Sequence, residues 1–239
     1  MYTNNNSNHI IVIGYVGSKS ILAKSFVKKY RKKFIFKSYK GDIRDDKKIT
    51  LWLMKNTDIN IFINFAAITS PIICEKLNKK ALDVNYKSAT KLLLILNEIK
   101  MNNFYYFLTL SSSHVFKKSK YKLKESSPKN PSNYYGFTKL KLENYIFKNK
   151  NKFNFKIGVA RIFNYYNNGL KDGFFINDVL DKLKKKKIVR FNNVNTYRDF
   201  ISMDDINTAL LKMLNLKLKN DYNICSGNRV YLPNIIIQL

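Results

Sequence analysis

Cysteine, histidine and long apolar runs are all scarce in this sequence of 239 residues. Its two cysteines, Cys74 and Cys225, do not make a disulfide framework, which fits a reducing cytosol. The two histidines, His9 and His114, stand far apart and offer no metal-ligand spacing, so no metal site is predicted. No apolar run approaches the length that spans a bilayer, and residues 1–9 lack the layout of a signal peptide. These absences predict a soluble, cytoplasmic protein with no membrane partner.

Acidic residues are scarce too, with 16 Asp and Glu against 44 Lys and Arg, and the formal net charge is +28. A charge of this size admits a nucleic-acid or anionic-surface partner. The lysines are spread along the whole chain, however, as a compositional bias of the genome would spread them, and the densest run is Lys184 to Lys187. Basic and aromatic residues do not interleave in a recognisable nucleic-acid motif. The sequence therefore disfavours a nucleic-acid partner.

The chain is rich in hydrophobic residues, at 45%, and these fall into short apolar runs separated by segments of helical spacing. The apolar runs predict strands at residues 10–13, 34–36, 59–64, 104–110 and 156–161. Alternating strands and helices are typical of a parallel sheet with right-handed crossovers. The predicted fold class is therefore α/β, a Rossmann-like doubly wound parallel sheet.

A glycine turn follows the first predicted strand and precedes a helix that starts near Ile21. Its pattern is Gly14-x-x-Gly17-x-x-Ser20. In this context the backbone N–H groups and the helix dipole face a dinucleotide pyrophosphate. A serine at the third position is a departure from glycine, and a plain strand-to-helix turn is the alternative reading.

The residues at the ends of the next two predicted strands indicate which cofactor binds and how closely it can approach the backbone. An acidic residue about 20 positions past the glycines is typical of NAD-binding domains. Here the sequence Lys37-Ser38-Tyr39-Lys40 stands at that place, and a basic, hydroxylated rim suits a 2′-phosphate. The expected cofactor is therefore NADP, with NAD as the alternative. Ala66 and Ala67, after the third strand, would let a flat ligand lie close to the backbone.

The stretch from Leu110 to Lys139 carries the candidate chemistry. Tyr135 and Lys139 are four positions apart, so on a helix they share one face. We expect the ammonium to lower the pKa of the neighbouring phenol and make it a proton donor or acceptor near neutrality. A serine hydroxyl at the end of the preceding strand could bond the same substrate oxygen. A chance pairing on a helix surface is the alternative.

Taken in order, these segments resemble the extended short-chain dehydrogenase/reductase family, which comprises sugar-nucleotide epimerases, dehydratases and reductases. The later part looks most like the GDP-mannose dehydratase and GDP-6-deoxy-mannose reductase branch, and dTDP-4-dehydrorhamnose reductase is similar as well. The matching pieces are the glycine turn, Asp42 in Gly-Asp-Ile-Arg-Asp, Asn64 to Ala67, Asn85, Ser111 to Phe116, Tyr135 to Lys139, Arg161 to Asn164 and Arg198-Asp199-Phe200.

The resemblance implies a role for each matching residue. For the cofactor, it implies pyrophosphate contacts by Gly14 and Gly17, adenine contacts by Asp42 and Ile43, ribose-side contacts by Ala66 and Ala67, and nicotinamide-ribose contacts by Tyr135 and Lys139. For catalysis it implies Tyr135 as the general acid/base, Lys139 as the residue that lowers its pKa, and Ser112 as the catalytic hydroxyl. For the nucleotide sugar it implies Ser112, Ser113, His114, Asn164 and Arg198, the last two facing the diphosphate.

One departure from the resemblance bears on the reaction. In the 4,6-dehydratases the second position after the catalytic hydroxyl residue is a glutamate, and here it is His114. We therefore expect reduction of a nucleotide 4-keto-6-deoxy sugar, with hydride from NADPH and a proton from Tyr135. Two alternatives stay open: an epimerase or 4,6-dehydratase with tightly bound NAD, and a catalytically inactive cofactor-binding or nucleic-acid-binding protein.

The chain changes role near residue 164. Residues 1–164 are predicted to form the NAD(P)-binding Rossmann domain with the catalytic Ser, Tyr and Lys. Residues 165–239 are predicted to form a short substrate-binding part, interleaved with the first, with a helix at about 174–186 and a strand at 188–191. The family usually has further elements here, so this part is either minimal or truncated. The family often pairs through the helix that carries the Tyr/Lys pair, which implies a homodimer.

Overall fold

A computed structural model of the chain describes residues 10–166, 184 and 194–238. The helix predicted at about 174–186 and the strand predicted at 188–191 lie outside these residues, apart from residue 184. No helix in the described ranges combines the length and the apolar composition that a bilayer crossing requires. In the same ranges no group of three or more His, Cys, Asp or Glu side chains converges as a metal site would.

The elements alternate between strand and helix over most of the chain. The strands are β1 (Val12–Val16), β2 (Ile35–Ser38), β3 (Ile61–Asn64), β4 (Tyr106–Ser112), β5 (Lys156–Ile162), β6 (Asn164–Tyr166), β7 (Tyr197–Arg198), β8 (Phe200–Ser202), β9 (Asn220–Ile224) and β10 (Val230–Tyr231). The helices are α1 (Ile21–Tyr30), α2 (Asp46–Met54), α3 (Pro71–Lys76), α4 (Asn78–Leu82), α5 (Ser88–Glu98), α6 (Tyr134–Asn149), α7 (Met203–Leu216) and α8 (Leu232–Gln238).

Six strands form one parallel sheet in the order β2-β1-β3-β4-β5-β9. The order reverses at β1, because β2 lies on one side of it and β3 on the other. In open α/β sheets a crevice at such a reversal, outside the carboxyl ends of the strands, is where ligands bind. Two small pairs, β6 with β8 and β7 with β10, lie outside the main sheet.

Helices cover both faces of the sheet, which confirms the doubly wound α/β fold. On one face Phe26 of α1 and Leu210 of α7 belong to one apolar core. On the other face Leu53 of α2, Leu92 of α5 and Ile146 of α6 belong to a second core. Strands buried on both faces explain the continuous apolar runs of the sequence.

The helical stretch from α4 to α5 is interrupted in the structure. A π-helical segment, Asp83–Lys87, separates α4 from α5. Asn85 sits in this segment and is buried, with 1% of its surface exposed. Its Oδ1 accepts a hydrogen bond from Ile68 N at 2.8 Å, and its Nδ2 donates to Ile68 O and to Thr138 Oγ1, each at 3.0 Å. The wider turn thus carries an amide that ties the loop after β3 to α6.

The segment after residue 164 is interleaved with the first part of the chain. β9 completes the main sheet beside β5, and α7 shares a core with α1. Among the described residues of this segment, the two small strand pairs and α8 stand apart from the sheet. A folding boundary at residue 164 therefore stays a prediction.

Candidate active site

The first turn of α6 places Tyr135 beside the end of β4. Asn133 caps this helix, and its side-chain oxygen accepts a hydrogen bond from Gly136 N at 2.9 Å. A Cβ at Gly136 would overlap the carbonyl oxygen of His114, so only glycine lets the helix start this close to the turn after β4. Tyr135 and Lys139 both point into the protein and are 8% and 4% exposed.

Lys139 is held by the backbone of β4. Its Nζ donates a 2.8 Å hydrogen bond to Leu110 O, and it lies 5.9 Å from the centroid of the Tyr135 ring. Burial lowers the pKa of Lys139 to about 8, against the smaller raising effects of Cys74 and Glu143. In the cofactor-free protein the Lys139 side chain therefore gains or loses its proton at a pH near 8.

The pKa of Tyr135 shifts in the direction opposite to the sequence-based expectation. Burial raises the pKa of the phenol, and a hydrogen bond with Ser112 opposes this only in part. The Lys139 ammonium does not outweigh burial, because it is directed at a backbone carbonyl and not at the phenol oxygen. The expected lowering of the pKa is wrong for the protein alone, and Tyr135 is protonated at neutral pH.

The serines and His114 stand at the carboxyl end of β4. Ser112 is the last residue of the strand, and its Oγ accepts a 3.3 Å hydrogen bond from His114 N. Ser113 and His114 belong to a short 3-10 turn, Ser113–Val115. The His114 ring meets the Tyr135 ring edge to face, with centroids 5.5 Å apart. The candidate catalytic residues Ser112 and Tyr135 thus both lie next to His114, a candidate substrate-binding residue.

A cleft of about 1170 Å³ opens beside these residues. Of the predicted substrate residues, the fold brings Ser113, His114, Asn164 and Arg198 together in its lining, whereas Ser112 does not line it. Its described lining is strongly cationic and includes Lys117, Lys118, Lys120, Lys122, Arg198 and Arg229. Such a wall attracts an anionic ligand. The roles of the individual residues stay predictions.

The acidic lining residue Asp199 is engaged with the backbone. Its two carboxylate oxygens accept hydrogen bonds from Ser226 N at 2.8 Å and from Gly227 N at 2.7 Å. Its carbonyl oxygen accepts a 3.3 Å bond from the Asn164 side chain. Asp199 therefore fixes the loop after β9, with a hydrogen bond on each of its two carboxylate oxygens.

The loop after β1 lies where the strand order reverses. Gly17 has φ +80°, and a Cβ there would come within 2.5 Å of Ala66 N, so the loops after β1 and β3 touch at this point. Ser20 makes no side-chain cap on α1, and the first turn of α1 holds no acidic residue. The N–H groups of that turn are thus open to an anion such as a pyrophosphate. Ala67 follows at the same edge, after β3.

Gly14 has a different setting from Gly17. It lies inside β1, and a Cβ there would come 2.7 Å from Ile59 Cδ1 and 2.9 Å from Phe62 Cδ2. Packing of the protein's own side chains accounts for this glycine. Its role at the pyrophosphate stays a prediction.

Part of the basic rim after β2 is used by the fold. Lys37 pairs with Asp58, at 2.8 Å to each carboxylate oxygen. Tyr39 is buried and packs against Trp52, with ring centroids 5.8 Å apart. Ser38 and Lys40 are the two members left to meet a ligand.

The Asp42 carboxylate is also engaged, with Arg44. The Arg44 backbone N and guanidinium both donate to it, and they lower the pKa of Asp42 to about 2. Ile43 is buried and belongs to the core shared by α2, α5 and α6. Adenine contacts by Asp42 and Ile43 stay predictions.

Sequence reasoning missed a buried ionic cluster beneath the candidate site. Arg161 donates to both carboxylate oxygens of Glu143, which lies one helical turn after Lys139. Arg161 also pairs with Asp221 of β9. The available signal was a charged residue inside the otherwise apolar run of β5.

Comparison with known proteins places the chain in a family. A model of the NAD dependent epimerase/dehydratase family matches residues 9–225. No curated protein sequence matches the chain. Many solved structures share the fold.

Three of these structures illustrate the likeness. RMD from Pseudomonas aeruginosa complexed with NADPH is 21% identical, covers 95% of this chain and 82% of its own, and gives a TM-score of 0.81. A dTDP-4-dehydrorhamnose reductase from Clostridium acetobutylicum is 19% identical, with 95% and 79% covered and a TM-score of 0.82. UDP-glucose 4-epimerase from Thermotoga maritima with UDP-glucose is 17% identical, with 95% and 81% covered and a TM-score of 0.79. At these identities the likeness shows the fold.

The family match and the fold confirm the resemblance to the extended short-chain dehydrogenase/reductases, and with it an enzyme that uses a nicotinamide dinucleotide. The chain belongs to the NAD dependent epimerase/dehydratase family.

Proposed function

We propose that the protein reduces a nucleotide 4-keto-6-deoxy sugar, with NADP as cofactor. One observation carries the choice of reduction over dehydration. Among the described residues that line the cleft, the acidic side chain is Asp199, and its carboxylate is bound to two backbone N–H groups. Dehydration removes a carbon-bound proton and so needs a base beside the sugar, whereas reduction of a carbonyl needs an acid.

The chain's own groups suit the acid role. A phenol is protonated at neutral pH, and burial raises the pKa of Tyr135 further, so this residue holds a proton that it can give to the carbonyl oxygen. Ser112 would donate a hydrogen bond to the same oxygen, and the Lys139 ammonium would stabilise the phenolate left on Tyr135. The nicotinamide, when bound, supplies the hydride to the carbonyl carbon.

The cationic cleft supports a nucleotide-sugar substrate. A diphosphate carries two negative charges, and Arg198 offers the forked donors that match phosphate oxygens. Asn164 lies on the same wall. A structural neighbour from Thermotoga maritima was solved with UDP-glucose, which agrees with this class of substrate.

The preference for NADP is supported by the rim after β2. Ser38 and Lys40 are the rim residues that the fold leaves free, and both suit a 2′-phosphate. The Pseudomonas aeruginosa neighbour was solved with NADPH. The UDP-glucose 4-epimerase from Thermus thermophilus was solved with NAD, which supports NAD as the alternative cofactor.

We extend the proposal to a cytoplasmic homodimer. Leu94 of α5 and Phe137 of α6 expose 44% and 39% of their surface on the helices beside the candidate site. Pairing through α6 would cover such apolar surface. Sedimentation of the purified protein distinguishes a dimer of about twice 28.1 kDa from a monomer.

The direct test is turnover of 4-keto-6-deoxy sugars linked to GDP, dTDP and UDP, with NADPH and NADH supplied separately. Reduction predicts consumption of one NADPH per sugar converted, followed by nicotinamide absorbance. Conversion of a nucleotide sugar with no net consumption of cofactor would contradict the proposal and indicate the epimerase or dehydratase. Salt-sensitive binding of nucleic acid without turnover would indicate the non-enzymatic alternative.

A further inference from the structure

Asn133 makes two hydrogen bonds that together determine how its amide is turned. Its Oδ1 accepts from Gly136 N at 2.9 Å, as the cap of α6. Its Nδ2 lies 2.8 Å from Nδ1 of His114. A backbone N–H is a donor only, so the amide oxygen must face Gly136 and the amide NH₂ must face His114.

The amide therefore sets the state of the imidazole. An NH₂ group is a donor only, so Nδ1 of His114 accepts and carries no proton. In the neutral ring the proton is then on Nε2, and His114 contributes to the wall of the cleft. The titratable and charged groups that face the ring are Tyr135 from α6 and Arg198 from β7.

Burial and the positive charge of Arg198 both favour the neutral ring of His114. Burial lowers the pKa of His114, and the positive charge of Arg198 lowers it further. An imidazolium would also need a proton on Nδ1, where it would meet the NH₂ of Asn133 as a second donor. The geometry and the charges therefore act in the same direction.

We propose that Asn133 is a positioning residue that holds His114 as the neutral Nε2–H tautomer, so that His114 gives the substrate a hydrogen bond and does not act as a base. The inference rests on the proposed function and explains how a histidine takes the place of a carboxylate without restoring dehydration. A base at Nε2 requires a bare Nε2 and a proton on Nδ1, which is the arrangement that Asn133 disfavours.

Two substitutions separate the capping role of Asn133 from its action on the ring. Asn133→Asp keeps a side-chain oxygen for Gly136 N and places a carboxylate at Nδ1, which should draw the proton to Nδ1 and raise the pKa of His114 by about 1 to 2. Asn133→Ser also keeps a good cap but does not reach the ring, so both tautomers should be populated.

The tautomer is read directly from the two-bond ¹H–¹⁵N correlations of the ¹⁵N-labelled protein. Only two histidines are present, and His9→Gln identifies the signal of His114. We expect the Nε2–H form in the wild type, the Nδ1–H form or imidazolium in Asn133→Asp, and a mixture in Asn133→Ser. An Nδ1–H form in the wild type, or no change in either variant, would overturn the inference. This reading needs no turnover, so it stands or fails separately from the proposed function.

Reductase turnover supplies the second test. Above its raised pKa, His114 of Asn133→Asp lacks the Nε2 proton, and we expect kcat/KM to fall about tenfold and to recover as the pH drops through that pKa. The wild type should show no such step. Equal pH profiles in the two proteins would mean that His114 does not donate to the substrate.

Discussion

Arg161 and Glu143 form a buried ion pair directly behind the serine-bearing end of β4. The Arg161 Nε and Nη2 atoms lie 2.9 and 2.7 Å from the two Glu143 carboxylate oxygens, and the side chains are 0% and 1% exposed. Glu143 also accepts a 2.6 Å bond from Ser111 Oγ, and Arg161 pairs with Asp221. One ionic cluster therefore joins α6, β4, β5 and β9 at the site.

Removal of either partner should be costly. Arg161→Met takes the near counterion from the buried Glu143 carboxylate, and we expect it to lower the free energy of unfolding by about 3 to 5 kcal/mol. Glu143→Gln should cost less, because Arg161 keeps its pair with Asp221. The double variant should lose less than the sum of the two. The matched control is the half-exposed pair Lys37 and Asp58, whose rupture by Lys37→Met should cost about 1 kcal/mol or less. Urea unfolding measures all four, and a small loss in both single variants would contradict the structural role.

Tyr135→Phe should abolish turnover and spare cofactor binding. The substitution removes one proton donor and keeps the ring in its buried site, so we expect kcat to fall by about 10² to 10⁴ with little change in the Kd for NADPH. Tyr134→Phe, at the neighbouring position outside the site, is the control and should keep its activity. Full activity of Tyr135→Phe would remove this residue from the mechanism.

Lys139 should give the cofactor-free protein a pH-dependent stability. Its pKa is about 8 in the folded chain against 10.5 for a free lysine, so between these values the unfolded chain holds more protons and stability rises with pH. The shift corresponds to about 3 kcal/mol. The free energy of unfolding of Lys139→Met minus that of the wild type should therefore be larger at about pH 7 than at about pH 10, by that amount. Urea unfolding of both proteins at the two pH values checks this, and a constant difference would refute it.

Gly17 and Gly227 share one backbone conformation and differ in their surroundings. Both have φ +80°, but a Cβ at Gly17 meets Ala66 N at 2.5 Å, whereas at Gly227 the nearest atom is Lys122 Nζ at 3.7 Å. Gly227→Ala should cost about 1 to 2 kcal/mol from backbone strain alone. Gly17→Ala should cost clearly more and should also weaken cofactor binding. Thermal unfolding and nicotinamide fluorescence measure the two effects, and equal losses would show that the contact with Ala66 is unimportant.

Lys40 should discriminate between the two nicotinamide cofactors. We expect Lys40→Ala to weaken NADPH binding roughly tenfold and to leave NADH binding unchanged, because only NADPH has a 2′-phosphate. Lys37→Ala is the control, since Lys37 is already paired with Asp58. Equal effects of Lys40→Ala on both cofactors would place the phosphate elsewhere.

The sequence predicts those features that depend on local periodicity. The alternation of apolar runs and helical spacing predicts the parallel sheet, and the spacing of Tyr135 and Lys139 predicts their common helix face. Strand β1 nevertheless extends through Gly14, because its neighbours β2 and β3 pair with that residue. The order of apolar and polar residues along the chain does not show which strands pair with one another.

The features that the sequence does not predict depend on contacts between distant residues. From the sequence alone, Asn85 would be taken for a residue on a helix surface. Its burial follows from hydrogen bonds with Ile68 and Thr138, which are distant in sequence. The pKa of Tyr135 follows from burial and from the direction of the Lys139 ammonium, and neither is visible in a four-residue spacing.

The position of β9 has a consequence for synthesis of the chain on the ribosome. β9 pairs with β5 and supplies Asp221 to Arg161, and it is the last strand of the main sheet to be translated. Until residue 224 has left the exit tunnel, β5 is an open sheet edge and Arg161 lacks one of its two carboxylates. The nascent chain therefore passes through a stage at which an edge strand is open to pairing with other chains.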